Sequence, residues 1–329
     1  MSRTGDVGVM LPREVPPADV ARVARACEDA GFDEVWVVDD CFFTGGLTTA
    51  ALTLAATERI RVGIGILPAV VRNPAFTAME LATLAGAFPG RLHAGLGHGV
   101  LPWMAQVGAT PDSWLTSLRE TTEAVRDLLH GRTVTTDGDH VHLDAVTLSF
   151  PPEVVPPVSL GVRGQRSVDL AGRRADGLVL AEPSPPAYIT ASRTRLREAA
   201  DASGRPGPRR LSVYTWALTG DHLDPDEADE LLRARCVDAL RHGGVEAHLV
   251  DLDGPSAEHV AAVRDGTEPL RDDVLDLLVL RGDADHVRAG VAARHAAGAD
   301  CVVLASARPT AGVETLLADV AALGAAVSG

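Results

Sequence analysis

Ala30-Gly31-Phe32-Asp33-Glu34-Val35-Trp36-Val37-Val38, followed by Asp39-Asp40, is the stretch from which the fold can be read. Gly31 ends a helix whose apolar positions Val20, Val23, Ala24 and Cys27 recur at the i, i+3, i+4, i+7 spacing of one helix face. The run Val35–Val38 has no polar alternation, which suits a strand buried on both faces in a parallel sheet. Upstream, Val7 to Leu11, closed by Pro12, reads as a first strand of the same kind.

This alternation of strand, helix and glycine continues along the chain. Arg61–Leu67, Arg91–Leu96, Val158–Val162, Gly177–Ala181, Leu211–Leu218, Val274–Leu280 and Cys301–Leu304 read as further strands. Helices are expected over Pro74–Ala87, Asp112–His130, Arg166–Arg174, Pro186–Ala202 and Ala311–Leu323, with another capped by Asp283. Ala-Gly-Phe-Asp at 30–33, Ala-Asp-Gly at 175–177 and Ala-Gly-Ala-Asp at 297–300 each join a helix to a valine- or leucine-rich strand. Repeated units of one βα type favour an α/β fold of the (β/α)8 TIM-barrel class. A single domain over 1–329 is expected.

Two stretches break the rhythm. Residues 131–157 contain β-rich arms around Asp137-Gly138, a hairpin signal. Residues 221–273 are acidic and helical in pattern, with Asp224 as N-cap and Pro225 at the first helical position. They are expected to form a helical insertion before strand 7, either a lid or a surface decoration.

Composition removes several classes of function. The net charge of −15 opposes nucleic acid and anionic membrane partners. The chain has no lysine, so a Schiff-base lysine, a phosphate-loop lysine and a lysine general base are all excluded. Cys27, Cys41, Cys236 and Cys301 show no paired spacing and read as reduced thiols. No basic-then-apolar leader and no membrane-length apolar run is found, and a cytoplasmic protein is expected. His140 and His142 alternate onto one hairpin face, but no third ligand lies near them in sequence and no metal is expected.

In a barrel of this kind chemistry gathers where strands stop. Those places are Pro12-Arg13, Asp39-Asp40-Cys41, Gly65-Ile66-Leu67-Pro68, Gly97-His98-Gly99, Gly161–Gln165, Ala181-Glu182 and Arg281-Gly282. Adjacent strand-end carboxylates point to different sides, so one of Asp39 and Asp40 at most should face a pocket. There it could donate or take a proton, or else cap a loop. His98, between two glycines, could hydrogen-bond a bound ring or titrate. Val100 to Met104 is apolar and suggests a bulky, weakly charged substrate near Val100 and Trp103.

The order and spacing of four motifs carry a resemblance over nearly the whole chain: ACEDAGFDEVWVVDD at 26–40, RIRVGIGILPAVVRNP at 59–74, PGRLHAGLGHG at 89–99 and GVRGQRSVDLAGRRADGLVL at 161–180. Together they resemble the bacterial luciferase-like superfamily, and within it the coenzyme F420-dependent branch that includes methylenetetrahydromethanopterin reductase-like proteins. The resemblance implies a flavin-type ring across the top of the barrel, with its phosphate at the backbone of Gly161, Val162, Arg163, Gly164 and Gln165. It also implies a non-prolyl cis bond at Gly65-Ile66 supporting the ring, with Asp39, Leu67 and Gly97 near it. Two departures stand out: Asp40 replaces the family histidine, and Val100 replaces the glutamate of the sugar-phosphate dehydrogenase branch.

The implied activity is hydride exchange between coenzyme F420 and a small organic substrate, with Asp40 or His98 as the proton-handling group. The alternatives are an FMN-dependent monooxygenase and a non-catalytic flavin-binding barrel. A homodimer is expected by the same resemblance.

Overall fold

The computed structural model describes residues 5–205, 207–220, 224–242 and 257–328. Eight parallel strands close into a ring: Asp6–Met10, Glu34–Val37, Arg61–Pro68, Leu92–Gly97, Val158–Gly161, Gly177–Leu180, Arg210–Leu218 and Cys301–Ser306. Each pairs with the next in chain order, and Asp6 opposite Cys301 closes the circle. The outward positions of these strands, such as Val7, Val9, Val35, Val37, Val62 and Ile64, are buried under the surrounding helices. That two-sided burial is why the strands carry unbroken apolar runs.

The inward positions are of a different character. Glu34 and Trp36 alternate with the outward valines, so both point along the barrel axis. Below, Arg210 donates to the carboxylates of Asp6 and Glu34 at 2.7 Å each, and Arg61 donates to Glu34 at 3.0 Å. Burial pushes the Glu34 carboxyl up, but Arg210, His93 and Arg61 outweigh it and hold the group below its ordinary value. Above this ring of charge the Trp36 indole fills the axis. It donates to Glu34 at 2.8 Å and meets His93 and Tyr214 edge-on at 5.0 and 5.8 Å between ring centres. The indole leaves room only for glycine opposite it, since a Cβ on Gly63 would lie 2.3 Å from its ring.

The expected hairpin forms from Val134–Asp137 and His142–Val146. Its turn is held by the buried Glu120, whose carboxylate accepts the N–H groups of Asp139, His140 and Val141 at 3.2, 2.9 and 3.1 Å.

One expected strand requires correction. Residues Asp272–Leu278 are helical, and only Val279–Arg281 is extended, pairing with the far end of Arg210–Leu218. A short apolar run cannot be assigned by periodicity alone, and Asp272 and Asp273 at its start favour a helix N-terminus. The seventh member of the ring is therefore Arg210–Leu218, and the inserted helices Pro225–His242, Ala257–Asp265 and Asp272–Leu278 follow it instead of preceding it. Asp224 accepts from the N–H groups of Asp226 and Glu227, as an N-cap should. Residues 221–223 and 243–256 of the insertion lie outside the described residues. Among the described residues no helix is long and apolar enough to cross a membrane.

The interior histidine gives the fold a defined acid sensitivity. His93 is buried, with Nε2 2.7 Å from Ser159 Oγ, and burial pulls its imidazole down to about 4 from an ordinary 6.5. Between those values the unfolded chain binds a proton that the folded chain refuses, so stability falls as pH drops from about 6.5 towards about 4. His93→Gln is expected to remove up to ~3 kcal/mol of that pH dependence, whatever it costs at neutral pH. Urea unfolding of both proteins across this window measures the slope, and equal slopes would refute the assignment.

Candidate active site

The strands end at a cavity of about 340 Å³ in the C-terminal mouth of the ring, within the roughly 300–1,000 Å³ typical of small-molecule sites. Its wall comes from widely separated parts of the chain. Met10 ends the first strand and Arg13 and Glu14 follow it, Asp40 follows the second, and Gly65-Ile66 lie within the third. Gly161 ends the fifth with Val162 and Arg163 after it, Ala181-Glu182 follow the sixth, Ser306 ends the eighth with Pro309 beyond it, and Tyr214 and Trp216 belong to the seventh. The insertion contributes Arg235, whose Nε donates to Ala307 O at 3.2 Å. It thus builds part of the cavity wall and is more than surface decoration.

Ile66 fixes the floor. The Gly65–Ile66 peptide bond is cis, and the register between the third and fourth strands shifts between Ile64 and Leu67. The Ile66 side chain lies over glycines of neighbouring strands. A Cβ on Gly161, Gly95 or Gly97 would come within 2.3, 2.9 or 2.9 Å of it. Those strand-end glycines are therefore a packing requirement of the bulge and not only of a tight turn.

Asp39 and Asp40 divide as the alternation of strand positions requires. Asp39 turns away from the cavity, accepting from Gly46 N at 2.7 Å at the start of helix Gly46–Ala56 and from Arg72 at 2.7 Å. Asp40 lines the cavity and accepts from Arg13 Nη1 at 2.8 Å. Burial raises its pKa, an effect that the Arg13 partner opposes without cancelling. Arg13 also donates to Glu14 at 3.2 Å, and its guanidinium lies 4.7 Å from the Phe43 ring centre and 5.6 Å from that of Trp103. Trp103 thereby belongs to an aromatic rim around Arg13, while the cavity lining itself excludes Trp103 and the exposed Val100.

Arg163 is tied down on both sides. Its Nη2 donates to Glu182 O at 3.0 Å, and its carbonyl accepts from Tyr188 Oη at 3.1 Å. Helix Gln165–Arg174 begins beside it at Gly164, with no side-chain cap on its first N–H groups and open space where a Gly164 Cβ would stand. An uncapped helix start of this kind offers free N–H donors and the positive end of the dipole. Gly164 and Gln165 stand just beyond the cavity lining.

The remaining expected residues lie nearby without lining the cavity. Leu67 is buried in the core, and Gly97 O accepts from Ala69 N at 2.9 Å. His98 turns toward helices Gln165–Arg174 and Trp114–Leu129, with Nε2 3.5 Å from Ser167 Oγ and its ring edge-on to Trp114. Burial lowers its pKa and keeps the imidazole neutral. Sequence reading did not single out Arg13, Glu14, Glu182, Tyr214, Trp216, Arg235 or Ser306 as cavity residues. Arg13 and Glu182 do stand at recognised strand ends. Tyr214 and Trp216, by contrast, sit inside a strand buried along nearly its whole length, whose sequence marks no inner face.

Tyr214 Oη is buried and has no hydrogen-bond partner. It occupies the space beside Gly65, 2.4 Å from where a Cβ would project. A buried hydroxyl left without a partner is costly unless a ligand or water completes it.

Comparison with known proteins sets this geometry in context. Residues 2–301 match the family model described as luciferase-like monooxygenase. The chain is 27% identical over 296 residues to the 5,10-methylenetetrahydromethanopterin reductase of Methanolobus tindarius, covering 86% of this chain and 89% of the relative. In fold it is similar to the coenzyme F420 dependent tetrahydromethanopterin reductase from Methanopyrus kandleri, with a TM-score of 0.81, 21% identity and 99% of each chain covered. It is also similar to the oxygenating constituent of 3,6-diketocamphane monooxygenase from Pseudomonas putida in complex with FMN, with a TM-score of 0.75, 16% identity and 98% of each chain covered. With the family match running from residue 2 to residue 301 of a closed parallel barrel, the chain belongs to the luciferase-like monooxygenase family.

Proposed function

We propose that this chain is an oxidoreductase that binds coenzyme F420 and exchanges hydride between it and a small organic substrate. The observation that carries the reading is the alignment of three features at one mouth: a cavity, the Gly65–Ile66 bulge on its glycine bed, and the uncapped start of helix Gln165–Arg174. The name of the structurally similar reductase from Methanopyrus kandleri, which specifies coenzyme F420, supports the choice of cofactor.

The residues present fit such a group. Gly161, Val162 and Arg163 line the cavity beside the helix start, where glycine backbone and N–H donors suit a phosphate. Ile66 provides an apolar surface for a flat ring, and the orphaned Tyr214 hydroxyl offers it or the substrate a hydrogen bond. When bound, the deazaflavin supplies the hydride acceptor or donor. The protein's own part is orientation, exclusion of water and proton handling. Arg13, clamped between Asp40, Glu14 and the aromatic rings of Phe43 and Trp103, forms the outer lip through which a substrate would pass.

Titration of the purified protein with coenzyme F420 and with FMN, each in both redox states and followed by ring fluorescence, tests the cofactor. Saturable F420 binding is expected; binding of FMN alone, with oxygen consumption by the FMNH2-loaded protein, would establish the monooxygenase reading in its place. Arg163→Ala should weaken F420 binding by about 10- to 100-fold, the loss of a charge-assisted hydrogen bond. Unchanged affinity in that variant would exclude Arg163 from the phosphate site.

A further inference from the structure

Arg235 is a cation of the cavity that neither the ion pairs of the fold nor the phosphate site employs. It comes from the inserted helix Pro225–His242, where Leu232, one turn earlier, and Cys236, next to it, are buried in one cluster with Trp216 and Leu218 of the seventh ring strand. That packing seats the helix against the mouth of the barrel and puts Arg235 in the cavity wall. Its Nε donates to Ala307 O at 3.2 Å, in the loop whose Ser306 and Pro309 line the same wall. A guanidinium anchored through Nε keeps both Nη groups for another acceptor. Among the described residues no acceptor takes them and no carboxylate pairs with them.

The other guanidiniums of the cavity are taken. Arg13 bridges Asp40 and Glu14 at 2.8 and 3.2 Å, and Arg163 donates through Nη2 to Glu182 O at 3.0 Å beside the helix start assigned to the phosphate. The Glu182 carboxyl is drawn on by both Arg163 and Arg235, and one carboxylate offsets only one of the two. Trp216 adds a second donor, since it lines the cavity and its indole N–H meets no acceptor among the described residues. An indole N–H and a guanidinium donate and cannot accept, unlike hydroxyl groups, which do both. Such a pair selects an acceptor, and the planar fork of a guanidinium matches a carboxylate through two parallel hydrogen bonds. Around them the wall is apolar at Met10, Val38, Val179, Ala181 and Pro309. The weakly charged substrate expected from the sequence rested on Val100 and Trp103, which stand outside this lining.

Resting on the cofactor reading above, we infer that the substrate is an organic acid with an apolar body, whose carboxylate is held by Arg235 together with the indole N–H of Trp216. Arg235 is then the specificity-determining residue that the insertion contributes to the barrel. Arg13, already matched by Asp40 and Glu14, offers the carboxylate a weaker site, so the acid end of the substrate is directed to the inserted helix. Fixing one end of a small molecule in this way orients the rest of it, as transfer to or from a bound ring requires.

Calorimetry on the F420-loaded protein tests the assignment with benzoate, phenylacetate and octanoate, each paired with its neutral primary amide. At neutral pH the wild type should bind at least one acid about 10- to 100-fold more tightly than its amide, the effect of a charge-assisted hydrogen bond. Arg235→Gln should erase that preference while the affinity for the amide holds, whereas a general disturbance of the cavity would weaken both. Arg235→Lys should restore part of the preference, since it returns the charge without the fork, and Trp216→Phe should weaken the acid to a smaller extent. Equal affinity for acid and amide, no binding of any of the three acids, or a preference that survives Arg235→Gln overturns the inference. An Arg235→Gln variant that loses F420 affinity and keeps the acid preference overturns it by giving Arg235 to the cofactor. Failure of the wild type to bind F420 defeats the cofactor reading instead, and the same acid and amide titrations of the protein without F420 still report on Arg235.

Discussion

The packing of Trp36 across the barrel axis is the constraint on which the rest of the molecule depends. The indole is fully buried and demands glycine at position 63 on the neighbouring strand, where a Cβ would lie inside the ring's contact distance. Below it, the charged ring of Asp6, Glu34, Arg61 and Arg210 seals the N-terminal end, and the indole N–H is tied to that ring through Glu34. Above it, Tyr214 rests edge-on against the indole and supports the level at which the cavity begins. The barrel is thus filled from one end to about its middle and left hollow at the other, which is where parallel strands leave room for a site.

That hollow end is electrostatically divided. On one side Arg13 bridges Asp40 and Glu14 and is flanked by Phe43 and Trp103, so its positive charge is already matched by carboxylates of the protein. On the other, Arg163 is bound to backbone carbonyl oxygen and desolvated, next to an uncapped helix start. Donors of the kind an anion requires belong to this second side: the uncapped N–H groups of the helix start and the Arg163 guanidinium beside it. Glu182 lines the same cavity, and burial is the largest influence on its carboxyl, raising its pKa.

The cavity residues also separate by how they were made visible. Asp40, Gly65, Ile66, Gly161, Val162 and Arg163 lie where apolar runs stop, and strand ends can be found in a sequence because the hydrophobic pattern breaks there. Asp39 carries the same signal as Asp40, and only the alternation of strand positions tells the two apart; it warned that one must turn away but not which one. The helical identity of Asp272–Leu278 was hidden for a related reason. A seven-residue apolar segment satisfies both periods, and the decision between them came from packing under the inserted helix Pro225–His242.

By itself the sequence determined the order of the ring strands' apolar runs, though not their number, since Val274–Leu280 carried the same pattern; it also determined the hairpin at Asp137-Gly138, the exclusion of lysine chemistry and the family to which the motifs belong. These follow from local pattern, since burial on both faces, turn preference and composition are written residue by residue. Which side chains share the chamber was decided only in three dimensions. Tyr214 and Glu182 come from different strands, and Arg235 from an insertion. Closing eight strands into one ring fixes such neighbours through strand register and side-chain direction, and neither quantity can be read along a single chain.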